Sequence, residues 1–160
     1  MNLLNQFFWL CFFRNGPQHL PASSGLLTIC AAAYVIAGTA GAASQHPWPL
    51  AAQSTLVDAV LLVLLAHGAV VARGFYRRST QTLIALLGAG TFFSLVAIVA
   101  LVVGLPPMMF WLILIWYVLV MAHILRHALE IPLMFGAGLA LFYVFVSLGV
   151  TAAVTADKVV

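Results

Sequence analysis

The sequence predicts an all-α, polytopic transmembrane helix bundle with five spans and an N-terminal interfacial amphipathic helix. Three observations carry this expectation. First, 65% of the 160 residues are hydrophobic, only 6% are charged, and mean hydropathy is +1.17. A soluble domain carries about 25% charged and about 45–50% apolar residues. This chain therefore lacks the polar groups to cover a water-facing surface. Disordered chains are polar and charged, so disorder is excluded as well. Second, the apolar residues fall into five continuous runs, each near the ~20 residues that a spanning helix needs. Third, the arginines are confined to alternate breaks between those runs. A length of 160 residues leaves no room for a large catalytic module outside the membrane.

Residues 1–24 form the first unit, a short helix and a linker. The apolar part of MNLLNQFFWLCFFR is too short to span. No Lys or Arg precedes Arg14, and bulky aromatics stand where a signal cleavage site would need small residues. The expectation is a retained helix lying in the interface. Phe7, Phe8, Trp9, Phe12 and Phe13 would sink into the acyl boundary, with Asn2, Asn5 and Gln6 wet. Asn15 to Ser24 reads as a turn-rich linker with Gly16, Pro17 and Pro21.

Residues 25–160 form the five-span bundle. The expected spans are Gly25–Ser44, Gln53–Ala72, Gln81–Gly104, Met108–Leu129 and Ile131–Thr155. Lipid offers no partner to a backbone N–H or C=O, so each span should be helical. Continuous runs rather than alternation argue against a membrane barrel. His46-Pro47-Trp48-Pro49 separates the first two spans, and Arg73 to Arg78 the next two. Pro106-Pro107 divides spans three and four, and Arg126 to Pro132 marks the turn into span five. Pro107 and Pro132 suit a first helical turn, where the missing N–H costs nothing.

Charge sets the orientation. With the N-terminus inside, Arg14, Arg73, Arg77, Arg78 and Arg126 all fall inside, and only Lys158, beside Asp157, falls outside. The formal net charge of +3 is thus a topology signal and a set of anionic-lipid contacts, not a nucleic-acid surface. The expected setting is a bacterial inner membrane, with a cytoplasmic N-terminus and a periplasmic C-terminus. Trp48, Trp111 and Tyr76 fall at expected interfaces, as aromatic belts do. Small residues at four-residue spacing mark expected helix contacts: Ala33, Ala37 and Gly41, then Gly68 and Ala72, then Gly136 and Ala140. Span four, with Phe110, Trp111, Trp116 and Tyr117, is bulky enough to face lipid or fill grooves. Cys11 and Cys30 form no motif and read as small hydrophobes.

Ionisable groups inside a membrane are costly, so they are the first functional candidates. His123, His127 and Glu130 are spaced four and three residues apart, on one helix face. With His67 at similar depth they could hold a zinc or iron ion or a haem, or relay protons. Equally, Glu130 could pair with Arg126 or a neighbouring arginine, and the histidines could bond across helices. Asp58 stands about five residues into its expected span with no Lys or Arg near that depth. It needs a partner, a proton or a cation. Ser54 and Thr55, one turn earlier, could bond locally.

Catalytic templates are absent: no GxSxG, no HExxH, no P-loop and no dinucleotide fingerprint. Ser94 and Ser147 have no nearby base in the sequence. The stretch Phe12-Phe13-Arg14-Asn15-Gly16-Pro17-Gln18-His19-Leu20-Pro21, followed by five spans, resembles bacterial small inner-membrane proteins grouped with the Yip family. That resemblance implies five spans, a cytoplasmic N-terminus, a short exterior C-terminus and an adaptor-like role. It implies no functional residues. The long polar cytoplasmic region of the eukaryotic members, which are linked to trafficking and small GTPases, has no counterpart here.

The leading expectation is a non-enzymatic accessory, assembly or scaffold protein of a larger membrane system. It would work with the bilayer and other membrane proteins or a second copy. The alternative is a small ion, proton or metal-handling protein using His67, His123, His127, Glu130 and Asp58. An enzyme acting on a lipid or quinone comes third. The sequence alone assigns no cofactor.

Overall fold

The computed structural model describes residues 3–14 and 16–156. Asn2, expected on the wet face, and the Asp157 and Lys158 tail lie outside the described residues. Six α-helices follow in order: α1 Leu3–Cys11, α2 Ser24–Ala42, α3 Trp48–Ala72, α4 Ser79–Val103, α5 Pro107–Leu129 and α6 Leu133–Ala156. Two 3-10 turns, Pro17–His19 and Tyr76–Arg78, lie between them, and there is no strand among the described residues. Helices α2 to α6 are each long and apolar enough to cross a membrane.

The helix ends follow local chemistry. Pro47 caps α3, and Pro49 stands in its first turn, so the helix begins at Trp48 and not at Gln53. A proline there loses no hydrogen bond. Gly104 ends α4 in the left-handed region at φ 75°, where glycine has no Cβ to clash. Glu130 ends α5 in the same region at φ 53°, a strained choice for a residue with a side chain. Pro132 then accepts from the Gly136 N–H and starts α6.

The five long helices close a ring. α2 packs on α3 and α4, α3 packs on α6, α6 on α5, and α5 on α4. α3 also touches α4 across the ring. Small residues permit these approaches, at Gly136 of the expected span-five seam and, on α2, at Gly38, which lies outside the expected Ala33, Ala37 and Gly41 set. A Cβ built on Gly136 would lie 2.6 Å from the Ala122 carbonyl oxygen of α5, and one on Gly38 would lie 2.6 Å from Thr55 Cγ2 of α3. The Gly68 seam differs, since Gly68 and Ala72 are exposed and no atom stands within 4 Å of a Cβ at Gly68.

Packing is uneven along the ring. Arg73, Arg77, Arg78 and Arg126 stand at one end, in or beside the α3–α4 and α5–α6 turns. In that basic half, Leu62, Val70, Ile84, Leu86, Met121 and Ile124 are almost wholly excluded from the surface. Towards the opposite end, Ala100 is the last buried residue of α4, and residues 101–109 are all exposed. The bundle is tight at its basic end and splayed at the other.

Helix α1 packs against the bundle. It docks onto α4 and α5 part-way along them. Phe7 lies against Gly88, Leu10 and Cys11 are buried, and Trp116 Nε1 donates to the Cys11 carbonyl at 3.1 Å. Gly88 and Trp116 are each the tenth residue of their helices. Counted from the basic end at 1.5 Å per residue, Gly88 lies about 14 Å along α4 and Trp116 about 20 Å along α5. Asn5 is exposed and Gln6 half-exposed, and the Gln6 Oε1 is buried without a partner among the described residues. Phe8, Phe12 and Phe13 remain exposed, as a face meeting lipid would. The bulky span four thus fills a groove: Trp116 sits edge-on to Phe12, Phe92 and Phe93.

Candidate functional site

Asp58 is the eleventh residue of α3, because the helix starts earlier than expected. It therefore lies about 15 Å along the helix, well inside the membrane-crossing part. No Lys or Arg reaches it; among the described residues the single ion pair lies elsewhere. Its carboxylate is satisfied by hydroxyls from two other helices. Tyr34 of α2 donates to Oδ2, while Ser147 of α6 donates to Oδ1. Tyr143 of α6 also donates to Oδ1, at 2.8 Å. Tyr143 and Ser147 are one turn apart on α6, so a single helix face delivers both donors.

A carboxylate has about four lone-pair sites, and three are filled here. The Tyr34 and Tyr143 oxygens are 3.4 Å apart, but each has its one proton directed at Asp58. Neither can donate to the other while both serve the carboxylate. Tyr117 of α5 brings its hydroxyl beside those of Tyr34 and Tyr143 and near the Asp58 carboxylate. Its hydroxyl oxygen is buried and has no hydrogen-bond partner among the described residues. The neighbouring Tyr34 and Tyr143 hydroxyls and the cavity are the polar surroundings this oxygen has. Ser54 and Thr55 both donate to the Ala51 carbonyl of their own helix, at 3.0 and 2.9 Å, and do not touch Asp58.

The cluster opens onto a cavity of about 340 Å³ that all five long helices line. Tyr34, Asp58, Tyr117, Tyr143 and Ser147 form its polar end, and Phe93, Phe110, Leu114 and Leu148 are among its apolar walls. Ser94, Ala97 and Phe110 are shared with a second cavity of about 260 Å³, which reaches Ser44 and Gln45 in the α2–α3 turn. The two adjoin and run from Asp58 toward the splayed end. In the other direction Tyr143 separates the cluster from an apolar pocket of about 210 Å³ walled by Leu62, Leu86, Met121 and Leu125.

The expected metal set does not assemble. Among the described residues, no three His, Cys, Asp or Glu side chains are grouped to hold a metal ion. His67 is exposed on α3, and its Nδ1 lies 2.6 Å from Ser79 Oγ at the start of α4. Glu130 accepts from Arg78 at 2.6 Å, the pairing with a neighbouring arginine that the sequence allowed. His123 and His127 are neighbours, with ring centroids 4.5 Å apart and planes at 72°, and His123 also meets the Phe13 ring edge-on at 5.3 Å. The cause is geometric. The left-handed turn at Glu130 carries its carboxylate off the His123–His127 face and toward Arg78. His127, Arg78 and Glu130 instead line a polar cavity of about 330 Å³ at the basic end, with Gln18 and Gln81.

Sequence reasoning found Asp58 but missed its partners. A signal was present in depth. Counted from their basic ends, Tyr34, Asp58, Tyr117, Tyr143 and Ser147 all lie about 15–21 Å along their helices. Polar side chains at one depth in antiparallel spans are candidates for one cluster. The fold defines a multi-pass α-helical membrane protein with a hydroxyl-bound carboxylate in its interior. Comparison with protein-family models, curated proteins and solved structures finds no match for this chain.

Proposed function

We propose that this is a small proton- or cation-handling membrane protein whose working group is Asp58. The observation that carries the reading is a membrane-interior carboxylate that faces a cavity and has hydroxyl partners but no Lys or Arg. Such a group is costly in a bilayer and by default marks a pathway for ions or protons. It holds one positive charge, as a proton or as a bound cation, and the tyrosine hydroxyls can reverse their donation when Asp58 is protonated. The setting is a bacterial inner membrane. The basic end faces the cytoplasm, because cytoplasmic turns carry an excess of Lys and Arg. The N-terminus is then cytoplasmic, the C-terminus is periplasmic, and the cavity faces outward.

The test is reconstitution into liposomes containing a pH-sensitive dye, with an imposed potential. Wild type should move protons faster than Asp58→Asn by at least tenfold. Equal rates for wild type, variant and protein-free liposomes would remove the reading.

An accessory or scaffold role in a larger membrane assembly is the second reading. The observation in its favour is the open seam at Gly68 and Ala72, which none of the described helices fills. Gly68→Leu should then shrink the native complex measured by mass spectrometry in mild detergent. An unchanged mass would count against it.

A further inference from the structure

The cavity beside Asp58 is far larger than a proton or a bare metal ion requires, and its chemistry is two-ended. From its shape and lining we infer that it binds a small organic ammonium ion, with the charged head at Asp58 and the apolar body among Phe93, Phe110 and Leu148. The inference rests on the cation-handling reading of Asp58 and names its substrate class.

Four observations lead there. No Lys, Arg or His lines the cavity to balance the Asp58 carboxylate when it is ionised. A neutral ligand would leave that charge buried and unbalanced. The rings of Tyr34, Tyr117, Tyr143 and Phe93 surround the same space, and aromatic faces attract alkylated ammonium groups. Apart from Ser94, the remaining wall is hydrocarbon, which suits the substituents of an amine and offers little to a hydrated ion. Finally, α3 and α6 run unbroken through Asp58 and Ser147. Inorganic cations in transporters are held largely by carbonyls freed where helices unwind, and none are freed here. The hydroxyl protons of Tyr34, Tyr143 and Ser147 also point at the carboxylate, so those oxygens do not converge on a metal ion.

The Tyr117 hydroxyl, which lines the same cavity, gains a role in this arrangement. It is a positioning group that can accept from a protonated amine or complete the shell around the carboxylate when the ligand binds. Entry is from the splayed end, past Ser44, Gln45 and Phe110.

The experiment uses benzyltrimethylammonium as the probe and the full chain in lipid nanodiscs. Calorimetric titration should show saturable binding, and sodium and potassium should compete at least a hundredfold more weakly. Dicyclohexylcarbodiimide, which adds to protonated intramembrane carboxyls, should label Asp58 by peptide mass spectrometry, and the probe should protect it. Asp58→Asn should weaken binding at least tenfold. Ser94→Phe, which fills the cavity and leaves Asp58 in place, should do the same. Absence of probe binding to wild type up to 10-millimolar order, or labelling of Asp58 that the probe does not slow, overturns the inference without needing any variant. So does sodium binding as tightly as the probe. Proton flux that depends on Asp58 without probe binding would sink this inference and leave the function reading intact. Probe binding without such flux would remove the proton half of the function reading and leave its cation half, on which this inference rests.

Discussion

Tyr143 is the residue through which the site is most directly read. It supplies one of three donors to Asp58 and stands between the cavity and the apolar pocket beneath. Tyr143→Phe keeps the ring and removes the hydrogen bond. Interhelical hydrogen bonds in membranes average ~0.6 kcal/mol with a maximum near 1.7. The variant should therefore lose about 0.5–1.5 kcal/mol against detergent unfolding. Glu130 is a second case in which magnitudes decide. Its ion pair with Arg78 is exposed on both sides and worth about 0–1 kcal/mol. The left-handed backbone costs about 1–2 kcal/mol for a non-glycine residue. Glu130→Gly should unfold at or slightly above the wild-type midpoint, and a loss beyond about 2 kcal/mol would show that the pair outweighs the strain. Burial pushes the Cys11 thiol up to about 12, so almost no thiolate exists at pH 8. Iodoacetamide should leave Cys11 unmodified in the native protein and modify it fully in dodecyl sulfate. Of these residues, Asp58 and the Glu130–arginine pairing were legible in the sequence, because a charge in an apolar run draws attention. The tyrosines were not, since an aromatic in a span reads equally well as packing or as an interface anchor.

At the scale of elements, the five spans were legible to within a few residues because apolar run length fixes them. The start of α3 was misjudged because Pro49 reads as a break, whereas it lies in a first helical turn. The docking of α1 was hidden for another reason. Its short aromatic run carries no sign of a partner, and the contact is made by the Trp116 indole and the bare face at Gly88, on distant spans. Trp116→Phe removes the donor to the Cys11 carbonyl and should loosen α1. The readout is the same iodoacetamide reaction, which should become measurable under native conditions. The α5–α6 contact has a sharper test. A Cβ at Gly136 meets a backbone oxygen, which cannot swing aside as a side chain can. Gly136→Ala should cost about 1–3 kcal/mol by forcing the helices apart. Gly68→Ala meets nothing and should be neutral or stabilising by up to about 1 kcal/mol through helix propensity.

At the scale of the molecule, the ring is closed and well filled near its arginines and open away from them. Composition could predict the bundle but not this asymmetry, because apolar side chains that face lipid and those that face a core are the same residue types. The hidden term is which helix faces meet, and that is set by steric fit at Gly38, Gly136 and their partners. The asymmetry also explains why the histidine and glutamate set failed as a metal centre while Asp58 found three donors. The former lies where a helix ends and the chain turns away, the latter where three continuous helices run side by side.

One consequence follows from the depth of Asp58 combined with its one-sided access. A cation travelling from the splayed end to Asp58 covers roughly two-fifths of the length of α3. A full crossing is worth about 2.3 kcal/mol per 100 mV for each elementary charge. The partial crossing is then worth about 0.9 kcal/mol per 100 mV, or four- to fivefold in affinity. With the basic end in the cytoplasm, a more negative interior should tighten cation binding by that factor, and collapsing the potential should release it. Occupancy of this carboxylate would then report the energisation of the membrane, and a binding isotherm measured across a clamped bilayer would show the dependence as a shift in midpoint with voltage.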